Sequence, residues 1–182
     1  FPRIGAEQFA FVPNAVFSKL SQLTAPLYNQ GHQFYVDGSP QTGDVQFTSG
    51  GAWHTLLVGG ENGGGNSVYA LDVTDPSSLT NETNVAAAVL WEFTDANMGL
   101  SYSEPQIAQV NVTGVPFAVF FGNGYNSSNQ TPYLYAVNPQ TGAKIAGINL
   151  CAAVASTSPT ACNTSLPNGL SSVAIANSDR LL

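Results

Sequence analysis

The sequence predicts an all-β fold, a partial β-propeller of about two four-stranded blades plus the start of a third, with one short N-terminal helix. Val68–Asp72 (VYALD) and Leu134–Asn138 (LYAVN) nearly repeat each other at a distance of 66 residues. An apolar run that ends in glycine precedes each of them, Leu56–Gly60 in one case and Val119–Gly124 in the other. Matching segments at a long, fixed spacing indicate two copies of one supersecondary unit.

A third copy of the unit begins near the end of the sequence. Pro40, Pro105 and Ser172 lie 65 and 67 residues apart, each in a turn that leads into a short predicted strand. This spacing divides the chain into a lead-in and a partial propeller. The lead-in covers residues 1–36 and the propeller 37–182, with blades at 37–102 and 103–169 and the start of the next blade at 170–182.

The lead-in differs from the repeats. Glu7–Val12 resembles a strand, with an apolar run at residues 9–12. After Pro13, apolar residues recur at helical spacing over residues 14–23, with Asn14 placed as the N-cap. We therefore expect a strand and then one short helix.

Runs of apolar and β-branched residues between Gly, Asp, Asn and Pro clusters predict the strands of both blades. Four antiparallel strands form one propeller blade. The predicted strands lie near 39–46, 53–59, 67–73 and 89–94 in the first blade, and near 105–111, 116–122, 133–138 and 144–150 in the second. Because repeat units bury their faces against neighbours, and a ring needs at least about four blades, we expect the chain to pack against the remainder of a longer propeller.

Composition excludes several classes of function. Charged residues make up 8% of the chain, and four basic residues face eleven acidic ones, for a net charge of −7. Such a surface cannot neutralise a row of phosphates, so nucleic acid is not an expected partner. No apolar run approaches the roughly 20 residues of a membrane-spanning helix, so no transmembrane segment is predicted.

Cys151 and Cys162 lie in a polar stretch between the second and third units. A disulfide between them would close a short loop and would persist only in an oxidising compartment. The alternative is a pair of exposed loop thiols.

No residue pattern predicts a catalytic or cofactor-binding site. Asp72 and Asp75 are placed to cap backbone amides in a turn. His32 and His54 have no acid or nucleophile at a defining spacing. The glycine-rich run 59–65 lacks the Gly-Lys-Ser/Thr ending of a phosphate loop and is interpreted as a hairpin loop.

Aromatic residues occur mainly at strand positions, where they fill the core between blades. Tyr102 and Tyr125 fall in loops instead. We therefore predict these two side chains as surface contacts.

Several motifs together resemble the C-terminal propeller of the PilC/PilY family of type IV pilus biogenesis proteins and tip adhesins. They are Asp37–Pro40, Gly51–Gly60, Val68–Pro76, Leu90–Phe93 and Phe121–Ser127. The resemblance spans nearly the whole chain except the cysteine loop. It implies an exported bacterial protein at the cell surface, which acts at the pilus tip with minor pilins and contacts host or abiotic surfaces.

The family also has a calcium loop after a strand similar to 171–177. Here Asn177 and Asp179 occupy the start of such a loop, but Arg180 and two leucines follow where oxygen ligands are needed. Asn177 and Asp179 are therefore candidate ligands of an incomplete site. We expect no cofactor in this chain, and the resemblance leaves calcium as a ligand of the longer protein.

Two functions follow from these observations. The first is a non-enzymatic module for type IV pilus biogenesis and tip adhesion. The second is a fragment of a quinoprotein-like propeller, because Val68–Asp72 followed by Leu90–Phe93 also resembles the blade repeat of pyrroloquinoline-quinone-dependent dehydrogenases and of quinone-free propeller scaffolds.

Overall fold

Eight strands form two antiparallel sheets, each with its four strands in sequential order. The computed structural model describes residues 7–155, 157, 162 and 167–176. The first sheet contains β1 (Gln41–Gln46), β2 (Trp53–Gly60), β3 (Val68–Asp72) and β4 (Val89–Phe93). The second contains β5 (Gln106–Val112), β6 (Val115–Gly122), β7 (Tyr133–Val137) and β8 (Lys144–Asn149). The predicted all-β fold with two four-stranded blades is confirmed.

The core lies between the two sheets. Strand β1 packs against β5 and β6, and the buried side chains of both sheets form one cluster. Phe93, Phe121 and Tyr135 meet at its centre with ring centroids 5.2 to 5.7 Å apart. The cluster consists of Val45, Leu56, Val58, Val68, Ala70, Trp91, Phe93, Met98, Val119, Phe121, Tyr135 and Val137. Each sheet thus buries one face against the other, as propeller blades do.

The lead-in departs from the prediction in three respects, and the first two concern its strand and its helix. Residues 7–12 form no strand, because they are held by side-chain packing, Phe11 against Tyr69 at 5.1 Å, and not by a β-ladder. The predicted helix over 14–23 is broken into α1 (Asn14–Phe17) and a separate 3₁₀ segment (Leu20–Thr24).

The predicted N-cap of that helix is also wrong. Pro13 occupies the cap position without a side-chain hydrogen bond, and the backbone N–H of Asn14 donates to Glu92 Oε2 at 2.8 Å. Val16 is buried, whereas Phe17 and Leu23 are exposed. With so little of its apolar face covered, the segment has little packing energy to hold a longer helix together.

Two short helices occur where we expected a loop and the end of a strand. Helix α2 (Glu82–Ala88) lies between β3 and β4, and its N-cap Asn81 accepts the N–H of Asn84 at 3.0 Å. Helix α3 (Leu150–Val154) follows β8, and its N-cap Asn149 accepts the N–H of Ala152 at 3.0 Å.

The expected third-blade strand is not formed within the described residues 167–176. A single bridge joins Gly124 and Leu170, in which the N–H of Gly124 donates to the Leu170 carbonyl at 2.8 Å. The following residues, through Ala176, make no ladder. A segment that pairs with one loop residue gains too little to form a ladder, so within these residues the start of the third blade is marked by this bridge alone.

Candidate functional site

Tyr102 and Tyr125, which the sequence predicts as surface contacts, lie side by side. Their ring centroids are 5.9 Å apart, and the rings are 37% and 44% exposed. Tyr102 lies in the link between the two sheets, and Tyr125 lies in the loop between β6 and β7. An isolated bridge between Leu100 and Tyr125 brings these two segments together.

Backbone hydrogen bonds hold the two tyrosines together. The N–H of Leu100 donates to the Tyr125 carbonyl at 2.6 Å, and the N–H of Tyr125 donates back to the Leu100 carbonyl at 3.2 Å. Gly124 makes this approach feasible, since it has a φ of +69° and a Cβ there would lie 1.7 Å from the Leu100 carbonyl oxygen. The position of Tyr125 therefore depends on a residue that has no side chain.

Phe34 extends the exposed surface and was not predicted. Its ring is 53% exposed and contacts the ring of His32 edge-on at 5.3 Å. A Cβ on Gly63 would lie 2.9 Å from the Tyr102 hydroxyl oxygen and 3.1 Å from the Phe34 ring, so Phe34 and Tyr102 flank this glycine. We call Phe34, Tyr102 and Tyr125 the aromatic row.

A buried amide supports the loop of Tyr125 from below. Asn123 is fully buried, and its Nδ2 donates to the carbonyls of Asn97 and Thr131, each at 2.8 Å. Its Oδ1 accepts the N–H of Tyr133 at 2.9 Å and that of Leu170 at 3.3 Å. This side chain satisfies four backbone groups, which fixes the loop that carries part of the aromatic row.

Asp95 anchors the neighbouring link. Its Oδ2 accepts from Lys144 Nζ at 2.7 Å, and its Oδ1 accepts from the hydroxyl of Tyr135 at 2.9 Å. Burial alone would raise the pKa of Asp95, but the bonds from Lys144, the Asn97 amide and Tyr135 outweigh it and lower the pKa to about 2. Burial and the adjacent carboxylate raise the pKa of Tyr135. Asp95 therefore stays ionised and joins the two sheets.

The other end of the first sheet holds an open cavity of about 390 Å³ that is lined in part by His54, Asp72 and Asp75. His54 Nδ1 lies 2.7 Å from Asp72 Oδ2, a contact that the sequence did not reveal. Burial would raise the pKa of Asp72, but bonds from Thr74 and the proximity of His54 lower it on balance.

This pair does not form a catalytic triad. The hydroxyl of Thr74 donates to Asp72 Oδ1 and not to the imidazole, so it is not activated as a nucleophile. Asp72 and Asp75 also accept the backbone N–H groups of Thr74 and Ser77, each at 3.0 Å, in the capping role that the sequence predicts.

The remaining candidate sites give two results. A disulfide joins Cys151 and Cys162, as predicted, with 5.6 Å between their Cα atoms. Asn177 and Asp179 lie outside the described residues.

Within the described ranges, no group of three or more His, Cys, Asp or Glu side chains could hold a metal ion. None of the helices found there is long and apolar enough to cross a membrane.

Comparison with known proteins gives the family. Residues 3–180 match the model of the PilY1 beta-propeller domain. The chain belongs to this family. The type IV pilus biogenesis factor PilY1 of Pseudomonas aeruginosa PAO1 is 39% identical over 183 residues, which are 98% of this chain and 14% of that protein. A PilY1 homolog of Xylella fastidiosa Temecula1 is 43% identical over 141 residues, 76% of this chain and 9% of its own length.

A solved member of the PilY1 family agrees with the fold described above. The crystal structure of the P. aeruginosa PilY1 C-terminal domain superposes with a TM-score of 0.71 at 36% identity and covers 98% of this chain and 31% of that one. The chain spans about one seventh of the length of the full PilY1 of P. aeruginosa PAO1, because the match covers 14% of that protein. The family resemblance predicted from the sequence is confirmed.

Proposed function

We propose that this chain is a non-enzymatic propeller module of a type IV pilus biogenesis factor, exported to the cell surface and associated with the pilus. Its family membership carries this proposal, because the related proteins bear that name and match 98% of the chain in P. aeruginosa. The Cys151–Cys162 disulfide supports an exported location, since such bonds persist in oxidising compartments.

In this proposal the aromatic row is the contact surface for minor pilins at the pilus tip or for an external surface. Exposed tyrosines suit such contacts, because each ring buries a large apolar area while its hydroxyl can hydrogen bond. The backbone bonds between Leu100 and Tyr125 hold two of the rings in place before binding, which reduces the entropy lost on association.

The chemistry of the described residues supports a binding role over turnover. The His54–Asp72 pair has no activated nucleophile, and Asp95 is engaged with Lys144 and Tyr135. The relatives reported above are named for pilus biogenesis, which favours the pilus module over the quinoprotein alternative.

Complementation tests this function. A strain that lacks the full-length gene receives it back with Phe34, Tyr102 and Tyr125 all changed to Ala, or with Trp53→Ala. Trp53 is a matched control because it is 59% exposed and lies at the start of β2, at the opposite end of the sheet from the aromatic row.

We expect the triple variant to be exported in normal amount but to recover fewer minor pilins on affinity purification and to adhere less. The Trp53→Ala variant should match wild type in both assays. Equal recovery and adhesion with the triple variant would refute the aromatic row as the contact surface. Normal surface piliation in the gene-deletion strain would refute the biogenesis role.

A further inference from the structure

Glu61 is a fully buried carboxyl group at the end of β2. Its Oε2 accepts the N–H of Ser67 at 3.0 Å and the hydroxyl of Ser101 at 3.1 Å, and its Oε1 accepts the hydroxyl of Ser67. The backbone N–H of Glu61 donates back to Ser101 Oγ at 2.9 Å. One residue therefore ties the β2–β3 loop to the segment that leads into the second sheet.

Among the described residues, no ion pair includes this carboxyl group. In the part of the chain that the structure describes, the ion pairs are His54–Asp72 and Lys144–Asp95, and neither includes Glu61. Titratable or charged residues near this loop include Lys19, Tyr35, Tyr102, Tyr69, whose pKa the charge of Glu61 helps to raise, and Asp37, whose carbonyl accepts from Asn62 Nδ2. Lys19 Nζ donates to the Gly64 carbonyl, the Tyr35 hydroxyl donates to the Lys19 carbonyl, and the Tyr102 hydroxyl lies beside Gly63.

The second sheet has an amide at the matching position. Asn123 follows the final glycine of β6 as Glu61 follows that of β2, and both side chains are fully buried. Asn123 accepts the N–H of Tyr133 and of Leu170, so it joins its own loop to the next segment in the same manner. A neutral side chain is therefore sufficient for this structural role, and ionisation is the property that Glu61 adds.

We propose that Glu61 is a proton-controlled lock between the first blade and the segment that leads to the second, which is tightest when its carboxyl group is neutral. Ionisation places an unbalanced charge in a buried site and weakens the lock. The proposal does not depend on what the aromatic row binds.

The direction of the pH effect follows from burial. Burial raises the pKa of Glu61, and the hydrogen bonds from Ser67 and Ser101 offset only part of that rise. A raised pKa in the folded state means that the stabilising contribution is fully present below the unfolded pKa, about 4.3. It is lost as the pH rises through the folded pKa.

Thermal unfolding of the chain between pH 4 and pH 8 tests the lock with three proteins: wild type, Glu61→Gln and Glu7→Gln. Glu7 is an exposed control for the loss of one carboxylate. We expect the wild-type midpoint to fall relative to that of Glu61→Gln as the pH rises. The wild-type folding equilibrium constant should fall by about tenfold for each unit by which the pKa of Glu61 is raised. The Glu7→Gln curve should parallel wild type. If the midpoints of Glu61→Gln and wild type changed with pH in parallel, the proposal would be overturned.

Amide hydrogen exchange in the wild-type chain provides a second test that needs no variant. After correction for intrinsic exchange, the Ser67 amide, which donates to Glu61, should lose protection as the pH rises. The Tyr133 amide, which donates to the neutral counterpart Asn123 in the second sheet, should show no such trend. Constant protection of Ser67 over this range would contradict the lock even if Glu61→Gln failed to fold.

Discussion

Trp91 of the first sheet donates its indole N–H to the carbonyl of Pro139 in the second sheet, at 2.8 Å. Trp91 lies on the outer strand β4, and Pro139 lies in the turn between β7 and β8. The indole is nearly buried, so this bond joins the two blades away from water. It shows how consecutive units of the repeat are held together beyond the apolar core.

The first prediction concerns that bond. Trp91→Phe keeps an aromatic ring but leaves the Pro139 carbonyl without its donor. We expect a loss of about 1–3 kcal/mol from the unfilled hydrogen bond, with a further loss from the smaller ring. Urea denaturation followed by circular dichroism measures this loss, and an unchanged midpoint would show that the bond contributes nothing.

The second prediction concerns the glycine beside Trp91. Gly142 has a φ of +68°, and a Cβ there would lie 2.7 Å from the indole ring of Trp91. Gly142→Ala should destabilise by more than the roughly 1 kcal/mol expected from backbone strain alone. Gly114→Ala is the matched control, since Gly114 has a φ of +77° with nothing within 4 Å of its Cβ position. Equal losses in the two variants would argue against tight packing between the blades.

The third prediction concerns pH and Asp95. Its pKa is lowered to about 2, so its stabilising contribution is present above the unfolded pKa, about 3.9, and is lost as the pH falls through 2. Because solvent screens the half-exposed Lys144, Asp95→Asn should cost about 1 kcal/mol at neutral pH and progressively less in acid. Unfolding of both proteins by urea at pH 7, 4 and 2 provides the comparison. A cost that stays constant with pH would rule out the ion pair as its source.

The fourth prediction concerns the disulfide between Cys151 and Cys162, which encloses about a dozen residues. Changing both cysteines to Ala should lower the free energy of unfolding by roughly 3 kcal/mol, mainly through the entropy of the unfolded chain. Thermal unfolding with and without reductant measures the effect. The double variant should be insensitive to reductant, and a wild-type midpoint equally insensitive would show that the bond does not stabilise the fold.

The strands were predictable because their signals are repeated. The VYALD and LYAVN stretches became β3 and β7, since a pattern that occurs twice in the same context is far less ambiguous than one that occurs once. Helix α2 was missed although its signals are present, with Asn81 as N-cap, Glu82 in the first turn and alanines at its end. Its apolar residues 85–88 continue directly into strand β4, and this continuity hid the helix.

Other features depended on tertiary contacts. The segment 7–12 ends in an apolar run that resembles a strand, but the packing of Phe11 against Tyr69 replaced a ladder. The pairing of Tyr102 with Tyr125 was not predictable in detail, although their exposure was, because it depends on the bridge between Leu100 and Tyr125. Glu61 and Asn123 were overlooked, yet aligning the ends of β2 and β6 places a polar residue after a glycine in both copies.

Site-specific photocrosslinking in piliated cells tests the proposed contact surface most directly. A photoreactive aromatic residue replaces Tyr102 or Tyr125 in one pair of strains and Trp53 in a control strain, and the crosslinked partner is identified by mass spectrometry. We predict that the Tyr102 and Tyr125 positions capture a minor pilin and that the Trp53 position does not. Capture at Trp53 with none at either tyrosine would contradict the assignment of the aromatic row as the pilus contact.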